Sequence, residues 1–142
     1  MPASRMDRGY RRSCYRAGPI IARIGAPSPS ADAWMAGHRA SSAVLITAWN
    51  PMSLRMSDAW NARAHAKLLA MVRRRPHVEG CSGTKDWKEL TIGVIGTDRL
   101  GRRLARLFRQ RAYILLRRGK PTLLIYPRRP DPRGLAPVKG FP

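Results

Sequence analysis

The chain has 142 residues and a formal net charge of +20, from 28 Lys and Arg against 8 Asp and Glu. Its 44% apolar content is that of an ordinary globular protein, so wholesale disorder is excluded, and the length suits one domain with a modest core. No apolar run approaches the ~20 residues needed to span a bilayer. The opening stretch MPASRMDRGYRRSCYR is basic but has no apolar segment of the secretory kind, so a basic arm or, as an alternative, an organelle transit peptide is expected there, and the chain is expected to be cytoplasmic.

The positive charge is concentrated toward the C-terminus, where residues 81–142 hold 15 basic and 4 acidic side chains. Arginine dominates, and its planar fork binds phosphate in a bidentate way that lysine cannot. Such a field draws in nucleic acid, anionic membranes or phosphorylated ligands; equally, it is what an arginine-rich proteome loads onto solvated faces. Cys14 and Cys81 lack metal-ligand spacing, and His38, His65 and His77 are scattered, so no metal site and no cofactor are expected. A Cys14–Cys81 disulfide is possible, without a secretory context to support it.

In chain order, residues 1–17 are expected to form a basic N-terminal extension that packs little, followed by a single domain over 18–127 and a Pro- and Arg-rich tail over 128–142. Pro19 to Gly25 reads as a first strand. Ser30 suits the N-cap of a short helix over Ala31–Ala36, with Gly37 at its stop. The run Val44 to Ala48 is β-branched and aliphatic, and Asn50-Pro51 ends it, because proline lacks an N–H and Asn-Pro favours a turn. Ser57 then caps a helix reaching about Arg74, with Trp60, Ala64, Leu68, Met71 and Val72 on one face, and Pro76 as a stop. His77 to Lys85 carries two glycines and reads as a loop. Trp87 to Ile95 is a strand. Thr97 or Asp98 caps a second main helix whose apolar stripe is Leu100, Leu104, Leu107 and Phe108. Ala112–Leu116 and Thr122–Tyr126 flank the turn Arg118-Gly119-Lys120-Pro121 as an antiparallel hairpin. The order strand, short helix, strand, helix, strand, helix, strand, strand predicts an α/β (α+β) fold: a mixed or antiparallel sheet of about five strands with two main helices.

Thr91-Ile-Gly-Val-Ile-Gly-Thr-Asp-Arg-Leu-Gly101 invites comparison with the dinucleotide-binding fingerprint, since a strand runs into Gly96, a helix follows and Gly101 closes the pattern. The middle glycine, which lets the backbone approach a pyrophosphate, is replaced by Asp98, whose charge and bulk oppose it. An aspartate before a helix has a structural use at the helix N-terminus, and both readings stand at this level.

Several short elements together resemble an uncharacterised bacterial family of unknown function. They are Arg23-Ile24-Gly25, the segment Thr47-Ala48-Trp49-Asn50-Pro51, Asn61 followed by Leu68, the W-x-E element Trp87-Lys88-Glu89, the turn with Gly96 and Asp98, and a helix end Phe108-x-Gln110-x-Ala112. The resemblance covers about Tyr15 to Tyr126. It departs at Arg109, where glycine is common, at Arg111, where asparagine is common, and at Leu90, often acidic or serine. The resemblance implies no activity, and it assigns Asp98 to the family's own turn.

Two groups of side chains are candidates for function. Thr47, Trp49, Asn50, Asn61, Trp87, Glu89 and Gln110 form a polar constellation expected at one edge of the sheet; its amides read donor and acceptor patterns and Glu89 is a possible base, or else the same groups tie down the Asn50-Pro51 turn. Arg99, Arg102, Arg103 and Arg106 on the second main helix, with Arg117 and Arg118, form an anion-binding candidate. No nucleophile with a histidine partner is visible, so no catalytic residue is assigned and the balance leans against an enzyme. The expectation is a binding module that holds nucleic acid or another polyanion through phosphate contacts, without sequence preference. The alternative is a small-molecule-binding protein or enzyme with its site around Asn50, Asn61 and Glu89.

Overall fold

A computed structural model describes residues 4–127. The expected tail over 128–142 lies outside the described residues, as do residues 1–3. In chain order the elements are α1 (Arg5–Arg12), β1 (Tyr15–Ala17), β2 (Ile20–Ala22), α2 (Pro29–Gly37), β3 (Ser42–Ile46), a 3-10 turn at Pro51–Ser53, α3 (Asp58–Val72), β4 (His77–Gly83), β5 (Lys88–Ile95), α4 (Asp98–Leu107), β6 (Tyr113–Arg117) and β7 (Leu123–Ile125). Among the described residues no helix is long and apolar enough to cross a membrane.

The fold is mixed α/β, built on a five-stranded sheet in the order β4-β5-β3-β6-β7, with β1 and β2 as a separate hairpin. Every neighbouring pair in the large sheet is antiparallel. Strands β3 and β4 are therefore parallel to each other with β5 between them, and β5 and β6 are parallel with β3 between them. The unit β3-α3-β4-β5-α4-β6 thus consists of two split β-α-β crossovers, the ferredoxin-like β-α-β-β-α-β arrangement. Strand β7 adds an edge.

The sheet is covered on both sides. Alternating residues Val44 and Ile46 on β3, Ile92 and Val94 on β5, and Tyr113 and Leu115 on β6 face a core closed by Ala64, Leu68 and Val72 of α3 and Leu104 and Ala105 of α4. The opposite residues, Ala43, Leu45, Ile114 and Leu116, face a second core closed by Ala17, Ile20 and Ala22 of the hairpin and Ala31 and Met35 of α2. The helix face packs closely: a side chain at Gly101 of α4 would run into the Tyr113 ring.

Several elements differ from the sequence expectation for identifiable reasons. The stretch 77–85, expected as a loop, forms β4, paired with β5 from His77↔Val94 to Gly83↔Lys88. Its Gly80, which reads as a loop signal, is where the β1 backbone lies against the sheet; a Cβ there would meet Arg16 and Ala17 main-chain atoms. The described part of the N-terminal stretch, expected to pack little, contains α1 and β1, and Ala17 is fully buried. Ser4 caps α1 by accepting from the Asp7 N–H, and Asp7 accepts from Arg11 one turn on, at 2.9 Å. The expected strand 19–25 is present but shorter, as β2, and pairs with β1 in a hairpin turning at Gly18-Pro19, with Gly18 at φ +54. The cap of α2 is Ser28, not Ser30, because Pro29 occupies the first helical position, where its missing N–H costs nothing. Ser28 also donates to the Ile21 carbonyl at 2.8 Å, joining the helix start to β2.

The fingerprint-like segment resolves against dinucleotide binding of the doubly wound kind, because β5 and β6 are separated by the antiparallel β3. Residue Thr97 is the N-cap of α4 without a side-chain cap bond, and Asp98 is the first helical residue. The Asp98 carboxylate accepts from the Tyr113 hydroxyl and from Arg102 Nε at 2.7 Å, so it is committed to the fold.

Candidate functional site

Strand β3 ends at Ile46, and the chain continues through Thr47, Ala48 and Trp49 to Asn50, which adopts left-handed backbone (φ 48, ψ 63) before Pro51 opens the 3-10 turn. Asparagine is one of the few non-glycine residues that tolerate this region. Its conformation is held by its hydrogen bonds. The Asn50 N–H donates to Asn61 Oδ1 at 3.0 Å. Its Oδ1 accepts from Asn61 Nδ2 at 3.1 Å and from the Met56 N–H at 2.9 Å. Its Nδ2 donates to Glu89 Oε2 at 3.0 Å. Both asparagines are buried, so α3 is locked to the exit of β3 by paired amides.

Gln110 continues the same structure on the other side, donating from Nε2 to the Trp49 carbonyl at 3.0 Å and the Phe108 carbonyl at 3.2 Å. The Trp49 N–H donates to Thr47 Oγ1 at 3.0 Å. The Trp49 indole N–H is buried with no partner among the described residues. Backbone strain gathers here: Met52, Ser53 and Arg109 all have positive φ, and the Met52 N–H donates to the Arg109 carbonyl at 2.7 Å. Arg109 adopts φ 52, a region that glycine occupies without steric cost.

A cavity of about 630 Å3 opens on the sheet face opposite α3 and α4. Its floor is made by Leu45 and Thr47 of β3 and its exit, Glu89 and Thr91 of β5, and Ile114 of β6; its wall includes Asn50, Trp87 and Gln110; and its roof is α1 with Met6, Gly9 and Tyr10, followed by Tyr15. Five of the seven residues of the polar constellation therefore line one cavity: Thr47, Asn50, Trp87, Glu89 and Gln110. Asn61 sits behind Asn50 as its partner, and Trp49 contributes its backbone carbonyl.

Glu89 contributes the carboxyl of this space, which Arg5 and Arg12 of α1 also line. Burial pushes its carboxyl above the ordinary carboxylate range, opposed by hydrogen bonds from Asn50 and Trp87 and by the charge of Arg55. Arg55 stacks over Trp87, its guanidinium carbon 4.5 Å from the ring centroid. Burial likewise raises the Tyr10 and Tyr15 hydroxyls above the usual phenol value. The Thr47 hydroxyl accepts from Trp49 and retains its own proton to donate. The result is a space of mostly apolar surface with aromatic sides and polar groups contributed by several elements, a composition that suits a small ligand.

The roof is held by side chains. Tyr126, just beyond β7, donates to Asp7 Oδ1 at 2.7 Å, and its ring meets Tyr10 edge-on at 6.1 Å. The Tyr15 hydroxyl donates to the Tyr10 carbonyl at 2.9 Å. Residues Tyr10, Tyr15 and Ser82 were not among the candidates from sequence. The one local signal was Ser4-x-x-Asp7, a helix-start pattern in a stretch otherwise read as a basic arm.

The arginine group divides. Arg99, Arg103 and Arg106 are exposed on α4, whereas Arg102 is ion-paired with Asp98 at 2.7 Å. Arg117 ends β6 and Arg118 stands on the β6–β7 turn, its Nη1 at 3.5 Å from the Ala40 carbonyl. Among the described residues no group of three or more His, Cys, Asp or Glu could hold a metal ion.

No curated protein and no solved structure matches the chain. All seven residues of the constellation, from Thr47 to Gln110, fall in the stretch that a known family covers, while the α1 roof falls outside it. Residues 46–113 of the chain match the family described as Protein of unknown function (DUF3293).

Proposed function

We propose that the protein binds a small, planar, polar molecule in the cavity beneath α1, with Glu89 as the recognising group. The observation that supports this most is a partly buried carboxyl, displaced toward its neutral form, facing a cavity of about 630 Å3 whose sides include Tyr10, Tyr15 and Trp87. A carboxyl that burial shifts toward its neutral form, with the charge of Arg55 only partly opposing that shift, is a group able to recognise a polar ligand edge beside an apolar space. The protein acts as a binding module in this reading: Asn50 and Asn61 position Glu89, and Thr47 and Gln110 supply further polar contacts.

The test is a panel of planar heteroaromatic molecules, followed by thermal stability and tryptophan fluorescence. At least one member should raise the melting temperature and change Trp87 emission. Gly9→Phe, placed where open space surrounds a Cβ on the roof, should abolish that response while leaving the fold intact. No response to any member at millimolar concentration would remove the proposal.

A second reading rests on α4. Arg99, Arg103 and Arg106 are exposed on one helix, and among the described residues none of them has an ion-pair partner. That face suits non-specific contact with nucleic acid or another polyanion. Affinity for duplex DNA should then fall steeply with salt and drop in the triple Arg→Gln variant; no retention at low salt would end this reading.

A further inference from the structure

Beside the cavity, a second concave feature runs along the outer edge of β4, an open groove of about 800 Å3. Five cationic side chains, Arg12, Arg16, Arg23, Lys85 and Lys88, line it against a single carboxylate, Asp86. All five are exposed, and among the described residues none makes an ion pair. They come from four places in the chain: the end of α1, strand β1, the segment after β2, and the β4–β5 hairpin. Their gathering is therefore a product of the fold and not of a local charge run. Like charges collected in a concavity repel one another, and a bound anion relieves that repulsion. The arginine forks suit a phosphate group, which takes paired N–H donors.

The groove and the cavity have a common wall. Arg12, Ser82, Gly83 and Thr84 belong to the linings of both. Arg12 is the last residue of α1, so the same helix that roofs the cavity delivers a guanidinium to the groove.

We propose that the groove is the phosphate subsite of the cavity, and that the ligand class is a phosphorylated planar heterocycle, such as a nucleoside monophosphate. The heterocycle lies among Tyr10, Tyr15 and Trp87 with its polar edge at Glu89, and the phosphate lies against Arg12 and the other groove cations. This rests on the cavity reading above. It is separate from the arginine face of α4, which shares no residue with either space.

The experiment compares four nucleoside monophosphates with their unphosphorylated nucleosides, and with inorganic phosphate, by calorimetry on the full chain at low salt. At least one monophosphate should bind about tenfold or more tightly than its nucleoside, the size expected of one or two charge-assisted contacts. The double variant Arg16→Gln/Lys88→Gln should remove most of that advantage and leave nucleoside affinity unchanged. Both positions are exposed, so the fold is retained. Arg99→Gln/Arg103→Gln/Arg106→Gln should leave the advantage in place. As an independent readout, alkylation of the exposed Cys81, which lines the groove, should slow when the monophosphate is bound. Equal binding of nucleoside and monophosphate would overturn the phosphate subsite while sparing the cavity reading. Binding of phosphate and monophosphate alike, with no gain from the heterocycle, would separate the groove from the cavity and overturn the proposed ligand. An equal loss from the α4 variant would reduce the effect to net charge and overturn it as well. No binding by any of the probes overturns it outright.

Discussion

The two faces of the central sheet are built on opposite principles. On one, α3 and α4 close over Val44, Ile92 and Leu115 with aliphatic side chains, and Gly101 lets a helix press against Tyr113. On the other, the hairpin, α2 and the polar α1 cover the sheet incompletely, and a cavity with a partly buried carboxyl remains. No residue of α1 is buried, and its side-chain contacts include those from Tyr15, Ser53 and Tyr126. Both faces thus carry a buried core, but only the second leaves an opportunity for binding, with the Asn50–Asn61 pair at the end of β3 between them.

The comparison breaks most visibly at the helix face. Leu68 is fully buried, and Leu68→Ala should cost about 3–4 kcal/mol in denaturant unfolding, lowering the midpoint of the whole chain. Asn61→Ala should cost about 2–3 kcal/mol, because it leaves the Asn50 N–H without its buried acceptor and frees a strained backbone. An Asn61→Ala loss below about 0.5 kcal/mol, the level of ordinary surface changes, would mean that the amide pair does not join the two faces. On the N-terminal face the effect should be local. Tyr126→Ala removes the donor to Asp7 and the ring against Tyr10; amide exchange should accelerate in Met6–Arg12, with a global change of only about 1 kcal/mol. A global loss as large as that of Leu68→Ala would erase the distinction.

Two further changes sharpen it. Arg109→Gly should stabilise the chain by about 0.5–1 kcal/mol by relieving positive φ, net of glycine's greater freedom in the unfolded state. Glu89 supplies a pH signature. Its folded carboxyl titrates above its unfolded value, so its contribution is fully present below the unfolded pKa and is lost as pH rises through the folded one. Glu89→Gln keeps an oxygen for Asn50 and should flatten stability across that window. Asp98 has the opposite sign: the Tyr113 hydroxyl, then Arg102, hold its carboxyl low, so its support is present at neutral pH and lost as pH falls. Asp98→Asn should therefore reduce stability above the carboxylate range and leave the acid limb shallower.

Much of the scaffold was legible because it is local. Ser57 caps α3 as its position before Asp58 suggests, and Leu68 and Val72 lie on the buried face that the helical spacing marks. The hairpin β6–β7 follows from two apolar runs around a Gly-containing turn. The site was half legible. Thr47, Asn50, Trp87, Glu89 and Gln110 stood out as polar or aromatic groups at the ends of apolar runs, and the fold brings them around one cavity. The roof was not, because α1 is short and dominated by arginines, with only Met6 and Tyr10 one turn apart on its inner face, and its role lies in contacts such as that to Tyr126, 119 residues away in the chain from Asp7.

Residue types and short-range spacing by themselves determined the starts of α3 and α4, the turn at Asn50-Pro51, the apolar runs of the central strands and the excess of positive charge. Those depend on dihedral preferences and on interactions a few residues apart. Tertiary structure alone decided that Gly80 belongs to a strand, that Asp98 serves the fold, and that five cations from four segments share one groove. The reason is physical: close backbone approach, a hydrogen bond between a carboxylate and a hydroxyl on another element, and like-charge crowding are properties of surfaces that meet only after the chain has folded.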